Sequence, residues 1–267
     1  MIVNYRRATE SNRRETDEQM AFEVLMNGVG NAFSRRHWGT NFLVRTDDYL
    51  LGIDCPDSYR RALMQNDFEH GGEPLDVDDL DGMLITHLHG DHVNGLEMTL
   101  AYYRYVVEDT LDLYASTAVT NVLWQDRMGC SLGRSWTGER YQTLTPGDYY
   151  ELHEICWEEP TAVGPFEIEM RQTVHHLPTS ALRISDGEVT LGYSCDTAFD
   201  PSLIEWLSDC DRIIHETSYG PGHTPLFELL ELPDEIRDKM LVVHLPEELD
   251  EVDGMEFGEE GRIYEVR

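Results

Sequence analysis

Apolar residues fall along this chain in short runs divided by turn residues, and the period of each run predicts an element. Residues 21–26 read as a strand that enters a tight turn at Gly28 and Gly30, and residues 41–45 and 49–54 read as a hairpin around Thr46, Asp47 and Asp48. Residues 57–66 read as a helix capped by Asp57, followed by a loop at 71–74. A buried strand at 83–86 leads to a polar turn. A helix then starts near Asn94 and Gly95, with Leu96, Leu100, Tyr103 and Val107 on one stripe. Residues 111–115 read as a strand, Ser116 as the cap of a helix reaching Met128, and 129–140, with Trp136, as a glycine-rich loop. The second half repeats the scheme. Strands are expected at 166–174, 182–184 and 189–193, the last two joined across Asp186 and Gly187. A helix from Asp200 to Leu207, a strand at 212–215, a helix at 225–232 and a strand at 241–243 follow. Strands, then strand–helix units, then the same again predict an α/β protein with two sheets face to face and helices outside. No short-period repeat of the solenoid kind is present.

Composition changes this picture in one respect. The 267 residues include 40% hydrophobic ones, enough for a core, but 52 acidic residues stand against 20 basic ones, of which Lys239 is the only lysine. A net charge of −32 repels phosphate polymers at long range, which counts against a general nucleic-acid binder. Excess carboxylate with almost no lysine resembles proteins adapted to high salt; a merely acidic soluble protein is the alternative. Five cysteines with no Cys-x-x-Cys pair suggest reduced thiols. With no apolar leader and no run long enough to span a bilayer, they point to a cytoplasmic protein without a membrane partner. Residues 1–20 are polar, with Arg6, Arg7, Arg13 and Arg14 among acids, and read as an N-terminal extension ahead of a domain at 21–267.

The chemistry gathers behind the strand at 83–86. His87, His89, Asp91 and His92 follow it directly, with Gly90 to let the backbone bend. Imidazole and carboxylate are the ligands of zinc and similar divalent ions, and a turn aims alternate residues at two adjacent sites. A solvated polar loop is the plain alternative. More ligand types stand where predicted strands give way to loops: His175 or His176, Asp196 and His244. Strand alternation from Phe166 puts His176 in phase with the apolar face.

His-x-His-x-Asp-His behind a strand resembles the metallo-β-lactamase fold, an αββα four-layer sandwich, and the likeness runs over residues 21–245. Asp54, in Leu-Gly-Ile-Asp-Cys, resembles its early structural aspartate. The resemblance implies one metal on His87, His89 and His175, a second on Asp91, His92 and His244, and Asp196 bridging them with a hydroxide. The family's spacing to Arg183 selects His175 over His176. Two divalent ions are implied, zinc first, with manganese or iron as alternatives. Finer features resemble the RNase Z branch: the turn from Gly28 to Phe33, His215-Glu-Thr-Ser-Tyr219, and His223-Thr-Pro. There a glutamate and a later histidine form a proton relay, which carries over to Glu216 and His223. Asp91 and Asp196 join them as the implied catalytic set. For His223 the alternative is a helix-entry residue; His215 reads as simply packed. The branch's protruding basic arm that grips tRNA has no counterpart: residues 145–165 carry Asp148, Glu151, Glu154, Glu158 and Glu159. The chain therefore resembles armless members that cleave small substrates, including cyclic nucleotide phosphodiesters. The expected function is a binuclear hydrolase of a small phosphodiester. The alternatives are hydrolysis of another ester, lactone or thioester, tRNA 3′ processing, superfamily redox chemistry, and a binding module. Relatives are commonly homodimers, and Tyr102, Tyr103 and Tyr105 offer either an interface or core.

The charge makes one prediction. If the surface is built for screening, the thermal midpoint rises with potassium chloride into the molar range. A midpoint that stays flat or falls overturns the high-salt reading.

Overall fold

The computed structural model describes residues 21–46, 49–157, 159–250 and 252–267. The polar extension at 1–20, the turn residues Asp47 and Asp48, and Glu158 lie outside the described residues. Two seven-stranded sheets make up the frame. The first runs in the order Tyr150–Ile155, Leu111–Ser116, Gly82–Ile85, Tyr49–Ile53, Asn41–Thr46, Glu23–Gly28, Ile263–Glu265. The second runs Thr161–Val163, Phe166–Gln172, Ser180–Ser185, Thr190–Tyr193, Arg212–Glu216, Met240–Val243, Glu256–Phe257.

The four layers follow from strands that are apolar on both faces. Val24 and Met26, Phe42 and Val44, and Leu51 and Ile53 point into the core between the sheets. Their neighbours Leu25, Leu43 and Leu50 point the other way, under the helices Tyr59–Asn66 and Leu96–Tyr102. Tyr193, Ile213 and Ile214 of the second sheet join Leu203, Ile204 and Leu207 of the covering helix Pro201–Leu207 in one contiguous buried cluster. Helix, sheet, sheet, helix is the only way to keep such strands dry on both sides. No helix among the described residues is long and apolar enough to cross a membrane.

Several expectations shift. Ser58, left-handed at φ 63°, stands at the cap of the helix Tyr59–Asn66 without a side-chain cap bond, so Asp57 does not cap it. Gly71 and Gly72, both at positive φ, form a tight turn between the two-residue strands Glu69–His70 and Glu73–Pro74, where a loop was expected. Within 129–140, a short helix Gly129–Leu132 precedes a strand Arg134–Trp136 that pairs with Tyr141–Thr143. The helix behind Ser116 is α-helical over Thr117–Val122 and becomes π-helical over Leu123–Met128; Ser116 makes no cap bond. Within the stretch that lacks a basic arm, Tyr150–Ile155 and Thr161–Val163 form edge strands of the two sheets. Two late strands, Glu256–Phe257 and Ile263–Glu265, went unforeseen among the acids. The tyrosine run splits. Tyr103 is buried, its hydroxyl donating to the carbonyls of Val77 and Leu80, while Tyr105 is exposed.

In both sheets the central strands run parallel, Tyr49–Ile53 with Gly82–Ile85 and Thr190–Tyr193 with Arg212–Glu216 and Met240–Val243. Their carboxyl ends therefore open along one edge of the sandwich, where an α/β sheet offers a crevice.

Candidate metal centre

Each strand that ends on this edge releases one polar residue. Asp54 follows Ile53, His87 follows the strand Gly82–Ile85 by way of Thr86, Asp196 follows Thr190–Tyr193, Glu216 ends Arg212–Glu216, and His244 follows Val243. Three residues here are left-handed without being glycine: Asp54 at φ 62°, Cys195 at 48° and His244 at 62°. Such conformations cost about 1–3 kcal/mol each and persist where the surroundings over-determine them. They turn the chain at the strand end so that the side chains face inward.

The side chains converge as two groups that share one carboxylate. In the first, His87 Nε2 lies 3.2 Å from His89 Nδ1, which lies 3.0 Å from His175 Nε2. Asp196 Oδ2 stands 3.8 Å from His87 and 3.6 Å from His175. In the second, His244 Nε2 is 3.2 Å and His92 Nε2 3.7 Å from Asp91 Oδ2. The other oxygen of Asp196, Oδ1, is 3.3 Å from His92 Nε2 and 3.6 Å from His244 Nε2. Nitrogens about 2.0–2.1 Å from one tetrahedral ion sit roughly 3.3 Å apart, so both groups have the edge lengths of an ion's first coordination sphere. His92 Nε2 and Asp196 Oδ1 are buried with no hydrogen-bond partner, and both aim into the second group. Orphaned buried ligand atoms of this kind fit a divalent cation.

A second layer fixes which nitrogen faces inward. Asp54 is wholly buried; its carboxylate accepts from Thr86 N at 2.9 Å and Thr86 Oγ1 at 2.8 Å, and from His92 Nδ1 at 2.8 Å. A hydroxyl has one proton. Because Thr86 donates it to Asp54, Oγ1 accepts from His87 Nδ1–H at 3.0 Å and from the Cys195 thiol at 3.1 Å. Asp54 thus sets the tautomer of His92 directly and that of His87 through Thr86, leaving both Nε2 lone pairs free. Gly222 does the same for His175, whose Nδ1–H donates to its carbonyl at 2.7 Å.

The relay pair also meets. His223 Nδ1 lies 3.1 Å from Glu216 Oε1 and 4.0 Å from Asp196 Oδ2, and its ring is stacked on His244 with centroids 5.2 Å apart. Glu216 Oε1 further accepts from Thr197 N and Thr224 N at 3.0 and 3.2 Å. Burial, with the Asp196 charge beside it, pushes the Glu216 carboxyl well above its usual range. His215 is buried and donates from Nδ1 to the carbonyl of Glu216, apart from both groups. His176 belongs to neither; its ring is 6.2 Å from His89. The alternation that favoured His176 fails because the strand stops at Gln172. Buried positions run Phe166, Ile168, Met170 and then Thr173, a slip of one residue that puts His175 in phase.

The sequence reading missed Cys195, Gly222 and Arg127. Arg127, on the π-helical turn, donates from Nη1 to the carbonyl of Leu88 at 2.9 Å and from Nη2 to Asn94, bracing the metal-loop backbone. A backbone carbonyl has no sequence signal, and Cys195 and Arg127 carry no spacing that ties them to His87. The adjacency of Cys195 to Asp196 was the one cue available.

Charge divides the two groups. Burial pushes His87 far down and His175 down to about 4. Burial also opposes protonation of His92 and His244, but Asp196, with Asp54 and Asp91 respectively, overrides it and raises both. In the same way burial favours neutral Asp91 and Asp196, and the facing histidines overcome it and hold both well below the carboxylate range.

The family model described as anti-Pycsar protein Apyc1 matches residues 22–264. The protein of that name from Paenibacillus sp. (strain J14) is 30% identical over 258 residues, covering 92% of this chain and 99% of the relative. Its namesake from Bacillus phage BSP38 is 29% identical over 259 residues, covering 91% and 97%. Among solved structures, the metallo-β-lactamase fold protein YhfI from Bacillus subtilis superposes with a TM-score of 0.71 at 20% identity, covering 92% of this chain and 99% of its own. The human short-form tRNase Z reaches 0.67 at 17% identity (92% and 99%), and unliganded yeast PDE1 reaches 0.66 at 14% (91% and 99%). The fold expected from the sequence, the metallo-β-lactamase sandwich, is the fold observed.

The charge division makes a prediction. Ligand nitrogens must lose their protons to bind metal. A proton competes at higher pH where the metal-free histidine is raised, and only at lower pH where it is depressed. If each group holds an ion, a metal-loaded sample dialysed to acid would lose the one on Asp91, His92 and His244 before the one on His87, His89 and His175. Metal content against pH, with His244→Ala and His175→Ala to identify each step, checks the order, and the reverse order contradicts it.

Proposed function

We propose that this chain, which belongs to the anti-Pycsar protein Apyc1 family, is a binuclear metal-dependent phosphodiesterase acting on a small, cyclic nucleotide phosphodiester. His87, His89 and His175 would hold one divalent ion, Asp91, His92 and His244 the other, and Asp196 would span both. The donor set of imidazoles with few carboxylates favours zinc, with manganese or iron as alternatives. Ions in these positions would supply charge against the non-bridging phosphate oxygens and lower the pKa of a bound water.

The protein's own part is positioning and proton transfer. Asp196 is held from behind by Thr173 Oγ1, which donates to its backbone carbonyl at 2.7 Å. Its two carboxylate oxygens face the two groups, and one of them would accept the proton of the attacking water. Asp91 would supply the second group's own carboxylate, 3.2 Å from His244 Nε2. With its Nδ1 bonded to Glu216 at 3.1 Å, His223 would carry the proton to be given away on Nε2. When the bond to the leaving oxygen breaks, His223 gives up the Nε2 proton to it. The Glu216–His223 contact retains the other proton, so the pair ends one proton poorer and is restored from solvent.

The observation that carries this reading is the Glu216–His223 pair beside the histidine groups. A thiolate leaving group needs no proton, whereas the alkoxide of a nucleotide diester is a poor leaving group without one. The pair therefore favours a phosphodiester over a thioester. Residues 145–165 lie at the sheet edges with Glu151 and Glu154 exposed, which supports a small substrate over a tRNA. The five thiols are all unpaired, in keeping with a cytoplasmic enzyme. Exposed Met98, Tyr105 and Val106 offer an apolar face for a second copy of the chain, as a homodimer needs.

The test compares leaving groups. The wild type hydrolyses a 3′,5′-cyclic nucleotide, and His223→Ala loses on the order of 10²-fold or more of that rate. On bis-p-nitrophenyl phosphate, whose leaving group is already a weak base, the loss is far smaller, with metal content unchanged. Equal losses on the two substrates would remove the proton-donor role, and a wild type inert toward every cyclic nucleotide would overturn the substrate class.

A further inference from the structure

Beside the second ligand group lies a groove of about 620 Å³ whose wall includes Gly90 and Asp91. Its outer lip is the loop at 31–38, and its far side is the corner at 56–58. The loop is preformed. Gly30 N donates to the carbonyl of Trp38 at 2.8 Å, Trp38 N donates to Glu260 at 2.6 Å, and Asn31 Nδ2 donates to Ser218 Oγ at 3.1 Å. Ser34 Oγ accepts from the backbone N–H of His37 at 3.1 Å.

The chemistry of the lip runs against that of the chain. In a protein of net charge −32, two consecutive arginines stand here. Arg35 is engaged, since its guanidinium takes the Glu247 carboxylate bidentately. Arg36 is not: among the described residues its side chain donates only to the backbone carbonyl of Glu247, at 3.4 Å. Across the groove, Arg127 occupies Asn94 Oδ1 and so turns the amide's two N–H donors toward Gly90, where an added Cβ would sit 2.8 Å from Nδ2. Glu260, the nearest carboxylate on the lip, is already taken by Trp38 N. Burial, and then the charge of Arg36, push His37 down, and its Nδ1 stands 3.8 Å from Glu260 Oε1. The groove thus offers the donors of Arg36 and Asn94, with the exposed Asp57 carboxylate on its far side. That suits a flat ligand rich in carbonyl oxygens and ring nitrogens, and its volume suits a nucleoside.

We propose that this groove holds the nucleoside part of the substrate, with Arg36 and Asn94 donating to its base and the phosphodiester lying beyond Asp91 at the histidine groups. The inference rests on the phosphodiesterase reading and adds where specificity resides. Two variants test it: Arg36→Ala removes a donor, and Ala32→Trp fills the groove from an exposed wall position. With a 3′,5′-cyclic nucleotide both raise KM by about tenfold, the value of a charge-assisted hydrogen bond. With methyl p-nitrophenyl phosphate, which has no nucleoside, the rise is much smaller. Equal rises on the two substrates, or none on either, overturn the proposal. Calorimetric titration with a nucleoside 5′-monophosphate decides the groove independently of turnover. Affinity weakens about tenfold in both variants if the nucleoside sits there; equal affinity in all three proteins, or no binding to the wild type, refutes it. A wild type that binds the nucleotide but hydrolyses neither diester refutes the phosphodiesterase reading and leaves the groove assignment standing.

Discussion

Asp54, Asp91, Asp196 and Glu216 sit together between two sheets, and among the described residues their only charged partners are histidines. Among the described residues no arginine or lysine forms an ion pair with them. Asp54, Asp196 and Glu216 are almost wholly buried, and an uncompensated buried carboxylate costs several kcal/mol even after relaxation. Protonating the histidines repairs this only in part, because burial itself drives His87 and His175 toward the neutral form. Divalent cations at the two groups would offset the charge of Asp91 and Asp196, leaving the histidines free to be neutral and to act as ligands. The rest of the site is arranged around that balance.

The fold meets the demand with ordinary means. Strands buried on both faces must be covered by a second sheet inside and helices outside, and parallel strands then deliver their carboxyl ends to one edge. What the edge adds is strain and order. Left-handed Asp54, Cys195 and His244 turn the chain sharply at three strand ends, and one carboxylate, Asp54, sets the tautomers of a histidine in each group. Asp196 then divides its two oxygens between the groups, which makes them one site. A gap remains behind it: His244 Nδ1 and Glu216 Oε2 face each other at 3.8 Å, each without a partner.

Much of this could be read from the chain. His87, His89, Asp91 and His92 are contiguous, and contiguous ligands behind an apolar strand are a local signal. Asp196 and His244 were legible because strand ends are legible. His175 was not settled by alternation, because a strand's phase holds only while its ladder lasts, and this ladder ends at Gln172. The edge strands Tyr150–Ile155 and Ile263–Glu265 were missed for a related reason. An edge strand exposes one face, so its acids hide the apolar alternation. The groove at 31–38 was out of reach altogether, because its walls come from segments far apart in sequence and only the packed sheets bring them together.

The central claim is that Asp196 divides a pair of cation sites completed by His87, His89 and His175 on one side and by Asp91, His92 and His244 on the other. Elemental analysis of metal-saturated protein, freed of loosely bound ions, tests it most directly. The account predicts two divalent ions per chain and the loss of both in Asp196→Ala. One ion or none in the wild type, or two ions retained by Asp196→Ala, would contradict it.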